Sequence, residues 1–188
     1  MSPLGSVNAV SLGTLVRIIA GVHDVTADRL PTLRGRFRNF LKFGFPDVAA
    51  VGKGSRAEYW PEHVAQVLVA FELVRYRVPQ TAVAEGVARH RDVVTGAFGD
   101  AARELLAGNS GSALSLWVGS NALLEDAKKI GSANIVLVRE RSSLGAVSAS
   151  VWQIDVVRLV ERAIEAASMT DEPLSAGFFA RLTPDLQG

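Results

Sequence analysis

The chain has 188 residues, 48% of them hydrophobic and 21% charged, with a formal net charge of +1 at pH 7 and no cysteine. These values are typical of a folded protein and exclude a disordered tail, a uniformly basic chain, a disulfide framework and a thiolate zinc site. No apolar run approaches the roughly 20 residues that a membrane-spanning helix needs, and the first residues lack a basic signal-peptide start. We therefore expect a cytoplasmic protein without a membrane partner.

The first predicted element is a core helix. Residues 1–8 show no periodicity and are expected to be a loose end, whereas apolar residues recur at three- and four-residue intervals from Leu12 to Val22. Ser11 is a suitable N-cap, and the helix is predicted to end near Gly21. A polar turn follows it.

A basic helix is predicted next, with Pro31 in its first turn and its end before Gly44 and Pro46. Pro31 suits the first turn of a helix, because its missing N–H group would be unpaired there in any case. The apolar residues fall on one side and the cations on the other: Leu33, Phe37, Phe40 and Leu41 against Arg34, Arg38 and Lys42, with Arg36 and Asn39 nearby. Gly35 disfavours the helix by about 1 kcal/mol relative to alanine, but its missing side chain would let the backbone approach a phosphate or another helix.

Glycines and β-compatible residues then predict a short hairpin. Gly44 and Pro46 end the basic helix, and two strand segments, Val48–Val51 and Arg56–Trp60, flank the turn Gly52–Ser55. Three further helices are predicted after the hairpin: Trp60 to about Tyr76, Pro79 to His90, and Asp92 to Leu106.

Positive charge is concentrated in the basic helix and the hairpin. Seven Lys or Arg residues and two acids lie between Arg29 and Trp60, in a chain that is otherwise nearly neutral. Such a concentration is typical of a phosphate-binding surface. The alternative is an ordinary solvated helix face, where most surface charge lies.

The order helix, turn, basic helix, glycine-tipped hairpin and supporting helix is that of a winged helix-turn-helix. In that arrangement the basic helix enters the major groove of DNA while the hairpin, or wing, contacts the neighbouring backbone. Arginine can bond two acceptors on guanine or on a phosphate, and asparagine can read adenine. We therefore predict contacts with double-stranded DNA by Thr32, Arg34, Arg36, Arg38, Asn39 and Lys42 of the helix and by Lys53, Ser55 and Arg56 of the hairpin.

Four short motifs within residues 11–90 carry a resemblance to a known family: Thr32-Leu33-Arg34, Phe43-Gly44-Phe45-Pro46, Gly54-Ser55-Arg56-Ala57-Glu58-Tyr59 and Phe71-Glu72-Leu73. On these motifs the segment resembles the DNA-binding domain of MerR-type regulators and the related excisionase and terminase small-subunit modules. The resemblance implies sequence-specific binding to a paired DNA site, usually as a homodimer. Two features depart from it: Gly35 and Arg36 replace the usual paired tyrosines, and residues 113–168 lack the pattern of a long dimerising coiled coil.

The chain changes character after Asn109–Ser112, which we interpret as a linker between two domains, residues 9–108 and residues 113–188. The second domain is predicted to hold strands at Leu114–Val118, Asn134–Arg139 and Ala146–Trp152, a short helix at Asn121–Ile130 and an amphipathic helix at Ile154–Ala167. The last two strands are predicted to pair through the turn Ser142–Gly145. The apolar pair Phe178-Phe179 is expected to pack on a partner or to be mobile. The predicted fold class is α+β, mainly α.

No enzyme, cofactor or metal site is predicted. The turn Gly52–Ser55 lacks the spacing of a phosphate-binding P-loop. The three histidines, His23, His63 and His90, are far apart in sequence and are interpreted as surface or capping residues. No nucleophile, base and oxyanion site can be assembled from neighbouring residues.

The remaining polar and aromatic candidates have structural interpretations. The acidic pairs, Asp24 with Asp28 and Glu125 with Asp126, fit turns and helix starts. Trp117 and Trp152 are expected in the core, with the lining of a ligand pocket as the alternative.

The leading hypothesis from the sequence is a bacterial or phage-type transcription regulator, associated with the nucleoid. Its C-terminal half would dimerise, sense a signal or bind a protein partner such as RNA polymerase or another regulator. Two alternatives stay open. One is a phage-type DNA packaging or recombination accessory protein, and the other is a ligand-binding or scaffolding protein with no DNA role.

Overall fold

The computed structural model describes residues 8–48, 57–109, 113–120, 135–139 and 150–182. Their helices and strands, in chain order, are β1 (Val10–Ser11), α1 (Leu12–Val22), α2 (Leu30–Lys42), β2 (Glu58–Tyr59), α3 (Pro61–Arg75), α4 (Gln80–Arg89), α5 (Arg91–Leu106), β3 (Ser115–Ser120), β4 (Ile135–Val138), β5 (Ser150–Asp155), α6 (Val156–Ser168) and α7 (Ala176–Ala180). A 3-10 turn, Ala27–Arg29, precedes α2. The fold is mainly helical with two small antiparallel sheets, as the predicted class requires. None of the helices in these ranges has the length and apolar character needed to span a membrane.

Helix α3 is the centre of the core. Ten of its fifteen residues are buried, including the whole stretch from Val64 to Phe71. A helix that is buried on all sides must be surrounded by other elements rather than lie on the surface. The helices α1, α4 and α5 all contact it. It therefore supports the helices on either side of it in the chain.

Helix α1 begins as the sequence predicts and is held by the C-terminal part of the chain. The Ser11 hydroxyl accepts a hydrogen bond from the Thr14 N–H group at 3.3 Å, which makes Ser11 the N-cap. The Ser11 N–H group in turn donates to the Glu172 carboxylate at 2.8 Å. Near the other end, Gly21 lies so close to α6 that a β-carbon there would be 2.5 Å from the Ala166 β-carbon.

The turn between α1 and α2 is fixed by a charged side chain of α6. Asp24 has a positive φ of 51°, and its carboxylate lies 2.7 Å from the Arg162 guanidinium of α6. A hydrogen bond and the charge of Arg162 lower the pKa of Asp24. Arg162 also donates to the Gly21 carbonyl at 3.2 Å. Helix α6 therefore holds the chain immediately before the basic helix, and the interpretation of Asp24 as a turn residue is confirmed.

His23 is the C-cap residue of α1, which agrees with the capping interpretation, but its side chain lies inside this turn and not on the surface. Its side chain is 6% exposed, and its Nδ1 atom lies 3.2 Å from the Glu72 carboxylate of α3. Burial raises the pKa of Glu72, but hydrogen bonds and charges from His23 and Arg75 outweigh this effect and leave it lowered. This contact joins the turn to α3. Its two residues are almost fifty positions apart, so no local sequence pattern predicts it.

The first sheet joins the predicted wing region to the start of the chain. Strand β2 pairs antiparallel with β1, and Val10 is opposite Tyr59. A strand was predicted at Arg56–Trp60, but with Val48–Val51 as its partner. Of that partner only Val48 is described, and it is not in a strand. The pairing that the structure shows is with β1.

The second sheet has the order β4-β3-β5, and both pairings are antiparallel. The prediction that the second and third strands of this region form a hairpin is therefore wrong, because β3 lies between them. Leu116 and Val118 of β3 are fully buried, and the central position pairs the backbone of this strand on both sides. Strand β5 continues to Asp155, whose carboxylate caps α6 by accepting the Arg158 N–H group at 3.0 Å.

The apolar tail is part of the core. Phe178 and Phe179 are both buried in α7, and the Phe179 ring lies 5.6 Å from the Phe98 ring of α5. The prediction that this pair is mobile or reserved for a partner is wrong. The two tryptophans are only half-buried, so the core interpretation holds for them in part.

Buried apolar side chains from both sides of residue 110 form one continuous cluster. The division into residues 9–108 and 113–188 stays a prediction, because packing between two halves does not decide whether either folds alone. Several other predicted features lie outside the described residues: the loose end at 1–7, the helix at 121–130 with Glu125 and Asp126, and the turn at 142–145.

Replacing Gly21 with alanine tests the close packing of α1 on α6. The new methyl group would meet the Ala166 β-carbon at 2.5 Å, and one of the two helices must shift. We expect Gly21→Ala to lower the free energy of unfolding by about 1–3 kcal/mol, measured by urea denaturation.

Gly35→Ala in α2 is the matched control. A β-carbon at Gly35 meets nothing within 4 Å, so the variant should gain about 0.5–1 kcal/mol from helix propensity. A Gly21→Ala protein as stable as the wild type would contradict the proximity of α1 and α6.

Candidate nucleic-acid interface

The rotation of α2 about its own axis is set by aromatic packing. Leu33, Phe37 and Phe40 are its buried residues. The Phe40 ring lies 5.6 Å from Phe71 of α3, and the Phe37 ring lies 5.8 Å from Tyr59 of β2. Both pairs meet edge to face, the geometry that aromatic rings prefer. The side of α2 opposite these contacts must therefore face outwards.

Of the six DNA-contacting residues predicted on α2, five lie on that outer side and Arg36 lies on a flank of the helix. Each is exposed: Thr32, Arg34, Arg36, Arg38, Asn39 and Lys42. The four-residue spacing places Arg34, Arg38 and Lys42 in one row along the helix. Thr32 and Asn39 follow further round the exposed surface. Arg36 lies on the flank nearest α4, where Gln80 donates a hydrogen bond to its carbonyl at 3.4 Å.

The cations of this row are not neutralised by nearby acids. Among the described residues, no carboxylate forms an ion pair with Arg34, Arg36, Arg38 or Lys42. By contrast, other arginines in the same part of the structure pair with acids, as Arg75 does with Glu72. The charge on α2 is therefore available to an external anion.

Gly35 lies in the middle of the exposed surface of α2. A β-carbon at this position would have no neighbour within 4 Å, and its φ is not positive. Packing therefore gives no reason for a glycine, although glycine weakens a helix by about 1 kcal/mol relative to alanine. Because Gly35 has no side chain, another molecule can approach the α2 backbone closely at this position.

The predicted wing is only partly covered by the structure. Lys53, Ser55 and Arg56 lie outside the described residues, so their role as phosphate contacts stays a prediction. The two ends of the segment are placed: Val48 and Ala57 both pack on the core. Because Tyr59 contacts Phe37, the segment rejoins the protein next to α2.

His63 ties together the two ends of this segment. Its Nδ1 atom accepts a hydrogen bond from the Trp60 N–H group at 3.2 Å, and its ring is hydrogen-bonded to the Asp47 backbone. Burial lowers the pKa of His63 below its ordinary value of 6.5, although Glu62 and Asp47 oppose the shift. The interpretation of His63 as a capping residue is confirmed. The sequence signal was its place at the third position of α3, where side chains that reach back to the N-cap are common.

A cleft between α1 and α2 extends the basic surface, and the sequence analysis missed it. It has a volume of about 270 Å³ and is lined by Leu12, Gly13, Val16, Arg34, Phe37 and Arg38. Its floor is apolar and its two charged residues are arginines of α2. The residues of α1 in this cleft look like ordinary helix residues in the sequence, because only tertiary packing brings them beside the arginines.

No metal site is apparent on this surface or elsewhere in the part of the chain that the structure describes, since no three His, Asp or Glu side chains converge there. Comparison with known proteins gives no match to a family model, to a curated protein or to a solved structure. Any functional assignment therefore depends on the geometry of α2 and its surroundings.

The titration of His63 gives a pH-dependent stability. Its pKa is lower in the folded protein than in the unfolded chain, so the unfolded chain takes up more protons as the pH falls through 6.5. Stability is therefore present above that pH and is lost progressively below it. Protonated His63 also cannot accept the Trp60 N–H group. We expect the unfolding free energy of the wild type to decrease from pH 7 to pH 5.

His63→Gln separates this effect from the titration of other groups, because glutamine can accept the Trp60 N–H group but does not titrate. The free energies of unfolding of the wild type and His63→Gln should be similar at pH 7. Towards pH 5 the variant should become increasingly more stable than the wild type. His63→Ala should lose about 1 kcal/mol at pH 7, the usual contribution of a helix cap. Parallel pH profiles for the wild type and His63→Gln would contradict this assignment.

Proposed function

We propose that this chain is a sequence-specific transcription regulator that binds double-stranded DNA through a winged helix-turn-helix, with α2 in the major groove. The observation that carries the proposal is the row of Arg34, Arg38 and Lys42 on the exposed side of α2, unpaired with any acid in the described residues. The major groove is wide enough for one α-helix and presents hydrogen-bond acceptors that arginine can reach.

The charge distribution supports DNA over a general anionic partner. The net charge of the whole chain is only +1, so its long-range field is weak, and attraction must come from the local cluster. The cluster lies on a regular helix of thirteen residues, about 20 Å long, which fits along a groove. A straight row of cations on a rigid helix matches the regular spacing of a duplex better than an irregular patch would.

The proposed roles follow from side-chain chemistry. Arg34 and Arg38 would bond base edges or phosphates in pairs of hydrogen bonds, and Asn39 would read adenine. Lys42, Thr32 and Arg36 would position the helix on the backbone, as would Lys53, Ser55 and Arg56 of the predicted wing. Gly35 would let the helix backbone approach the duplex closely.

The remaining parts of the chain would support this activity. The wing segment begins and ends beside α2, held by His63, and α6 holds the turn that precedes α2. We propose that the protein acts as a homodimer at a paired site in the nucleoid. Residues 113–188 would provide the dimer contact or receive a signal or a protein partner.

Fluorescence anisotropy with labelled genomic fragments, repeated over a salt series, tests DNA binding itself. If about six cations neutralise phosphates, affinity should fall by about a thousandfold between about 50 and 200 mM salt. Addition of poly(dI-dC) as a competitor should remove the non-specific part of the DNA binding. Failure to bind any fragment at low salt, or binding that does not depend on salt, would overturn the proposal.

Two single substitutions should separate reading from positioning. Arg38→Ala is expected to cost about 1–3 kcal/mol at specific sites and little on random DNA, because it removes a base contact. Lys53→Ala should weaken all DNA by a similar factor and reduce the salt slope by about one. Both are measured by anisotropy with a specific and a scrambled duplex.

Arg103→Ala is the control for loss of one positive charge. Arg103 is exposed on α5 and pairs with Asp100, away from α2. The Arg103→Ala substitution should change neither the affinity for DNA nor the dependence of that affinity on salt. The assigned roles would be contradicted if Arg38→Ala and Lys53→Ala had the same pattern of effects on the specific and the scrambled duplex.

A further inference from the structure

Strand β5 has a backbone edge that no described residue pairs with. The Val156 N–H group donates to the Leu114 carbonyl at 3.0 Å, so the alternate residues Ile154 and Trp152 also direct their backbone groups towards β3. The N–H and C=O groups of Val151 and Gln153 therefore point to the other side. Within the described residues no backbone hydrogen bond reaches them.

The composition of β5 offers no protection against strand pairing. Exposed edges are usually blunted by lysine, proline, inward charges or bulges. Ser150–Asp155 itself has none of these, and its one charge, Asp155, lies at its end. The charged side chains beside Gln153 and Asp155 belong to α3 and α6: Glu72, Arg75, Arg158 and Arg162 line a cavity with them. The opposite side of the sheet is different: β4 packs against α4 and α5, and Arg139 just after it bonds to Asp100 and to the Gly96 carbonyl of α5.

An aromatic pair lies beside the open edge. Trp152 of β5 is half-buried and stacks on Tyr76 at the end of α3, with ring centroids 5.6 Å apart and planes at 26°. Tyr76 is 39% exposed and Val151 is 42% exposed. Large apolar side chains next to unpaired backbone groups are the two components of a β-sheet interface.

We propose that a second copy of this chain pairs with β5 in antiparallel orientation about a two-fold axis, so that the two sheets form one six-stranded sheet. In the register centred on Trp152, Val151 pairs with the partner's Gln153 and the reverse, which gives four backbone hydrogen bonds. Trp152 then faces the partner's Trp152 across the axis, with Tyr76 stacked behind it. A two-fold axis closes the assembly at two copies.

Self-pairing fits this edge better than an extended peptide of another protein. The same residues serve both sides of the axis, and no like charges face each other within Ser150–Asp155. The register also places the largest side chain of the strand against itself, an aromatic cross-strand pair that is favourable in antiparallel sheets. The inference does not depend on DNA binding, and it gives the proposed regulator a defined dimer contact.

Light scattering after gel filtration of the full chain, without DNA, tests the proposal over a concentration series. The wild type should have twice the mass of one chain. Val151→Pro removes an N–H group that points away from β3, and Val151→Glu places a charge near the partner's strand. Each should raise the dimer dissociation constant by about tenfold or more.

Leu106→Glu is the matched control, since Leu106 is 61% exposed at the end of α5. It should leave the dimer unchanged. Circular dichroism establishes that each variant is folded, and if Val151→Pro is not, Val151→Glu decides. A wild-type protein that is monomeric at all concentrations overturns the proposal. This outcome includes the case in which β5 pairs with a peptide of another protein instead of with a second copy. So does a folded Val151→Glu protein that dimerises as the wild type does.

Amide hydrogen exchange gives a second measurement on the unmodified protein. The N–H groups of Val151 and Gln153 should exchange slowly at concentrations where the dimer is populated and faster on dilution. Exchange that does not change with concentration would place the dimer contact elsewhere and overturn the proposal. DNA is absent from all these measurements, so a failure of DNA binding leaves their outcome intact.

Discussion

The packing of Phe37 and Phe40 decides which way the charges of α2 face. These two rings fill the space between α2 and the aromatic residues Tyr59 and Phe71, and each contributes about 1.5–3 kcal/mol through burial. Rotating α2 by one residue would replace a ring with a guanidinium group that has no partner inside the protein, at a much greater cost. The apolar side of the helix therefore holds the basic side outwards, whether or not a ligand is present.

The rest of the fold keeps α2 in that position from several directions. Helix α3 forms the buried support, and His63 at its start holds both ends of the segment that follows α2. At the other end of α2, Arg162 of α6 binds Asp24 and the Gly21 carbonyl. A helix from the last third of the chain thus determines the turn before α2, which gives the C-terminal half a direct physical connection to the proposed DNA surface.

The features predicted correctly are those whose signals are local. The first turn of α2 at Pro31 and its end before Gly44, the Ser11 cap and the capping role of His63 each depend on residues a few positions apart in sequence. The errors concern contacts between distant residues. Nothing near Glu58 indicates pairing with Ser11, nothing in β4 or β5 indicates that β3 separates them, and Phe178-Phe179 has the same pattern whether it packs on its own core or on a partner. The exposed row on α2 could be predicted from the spacing of its residues, but the cleft beside Leu12 and Gly13 could not.

The missing side chain at Gly21 has a consequence for any attempt to divide this protein. Because Ala166 occupies the space that a side chain would need, the surface of α1 is shaped to fit α6 and is apolar there. A fragment ending near residue 109 would expose that surface to water together with the Ser11 amide that Glu172 now satisfies. Weak DNA binding by such a fragment would then reflect the loss of this packing. The contribution of either half is therefore better measured with point substitutions in the intact chain.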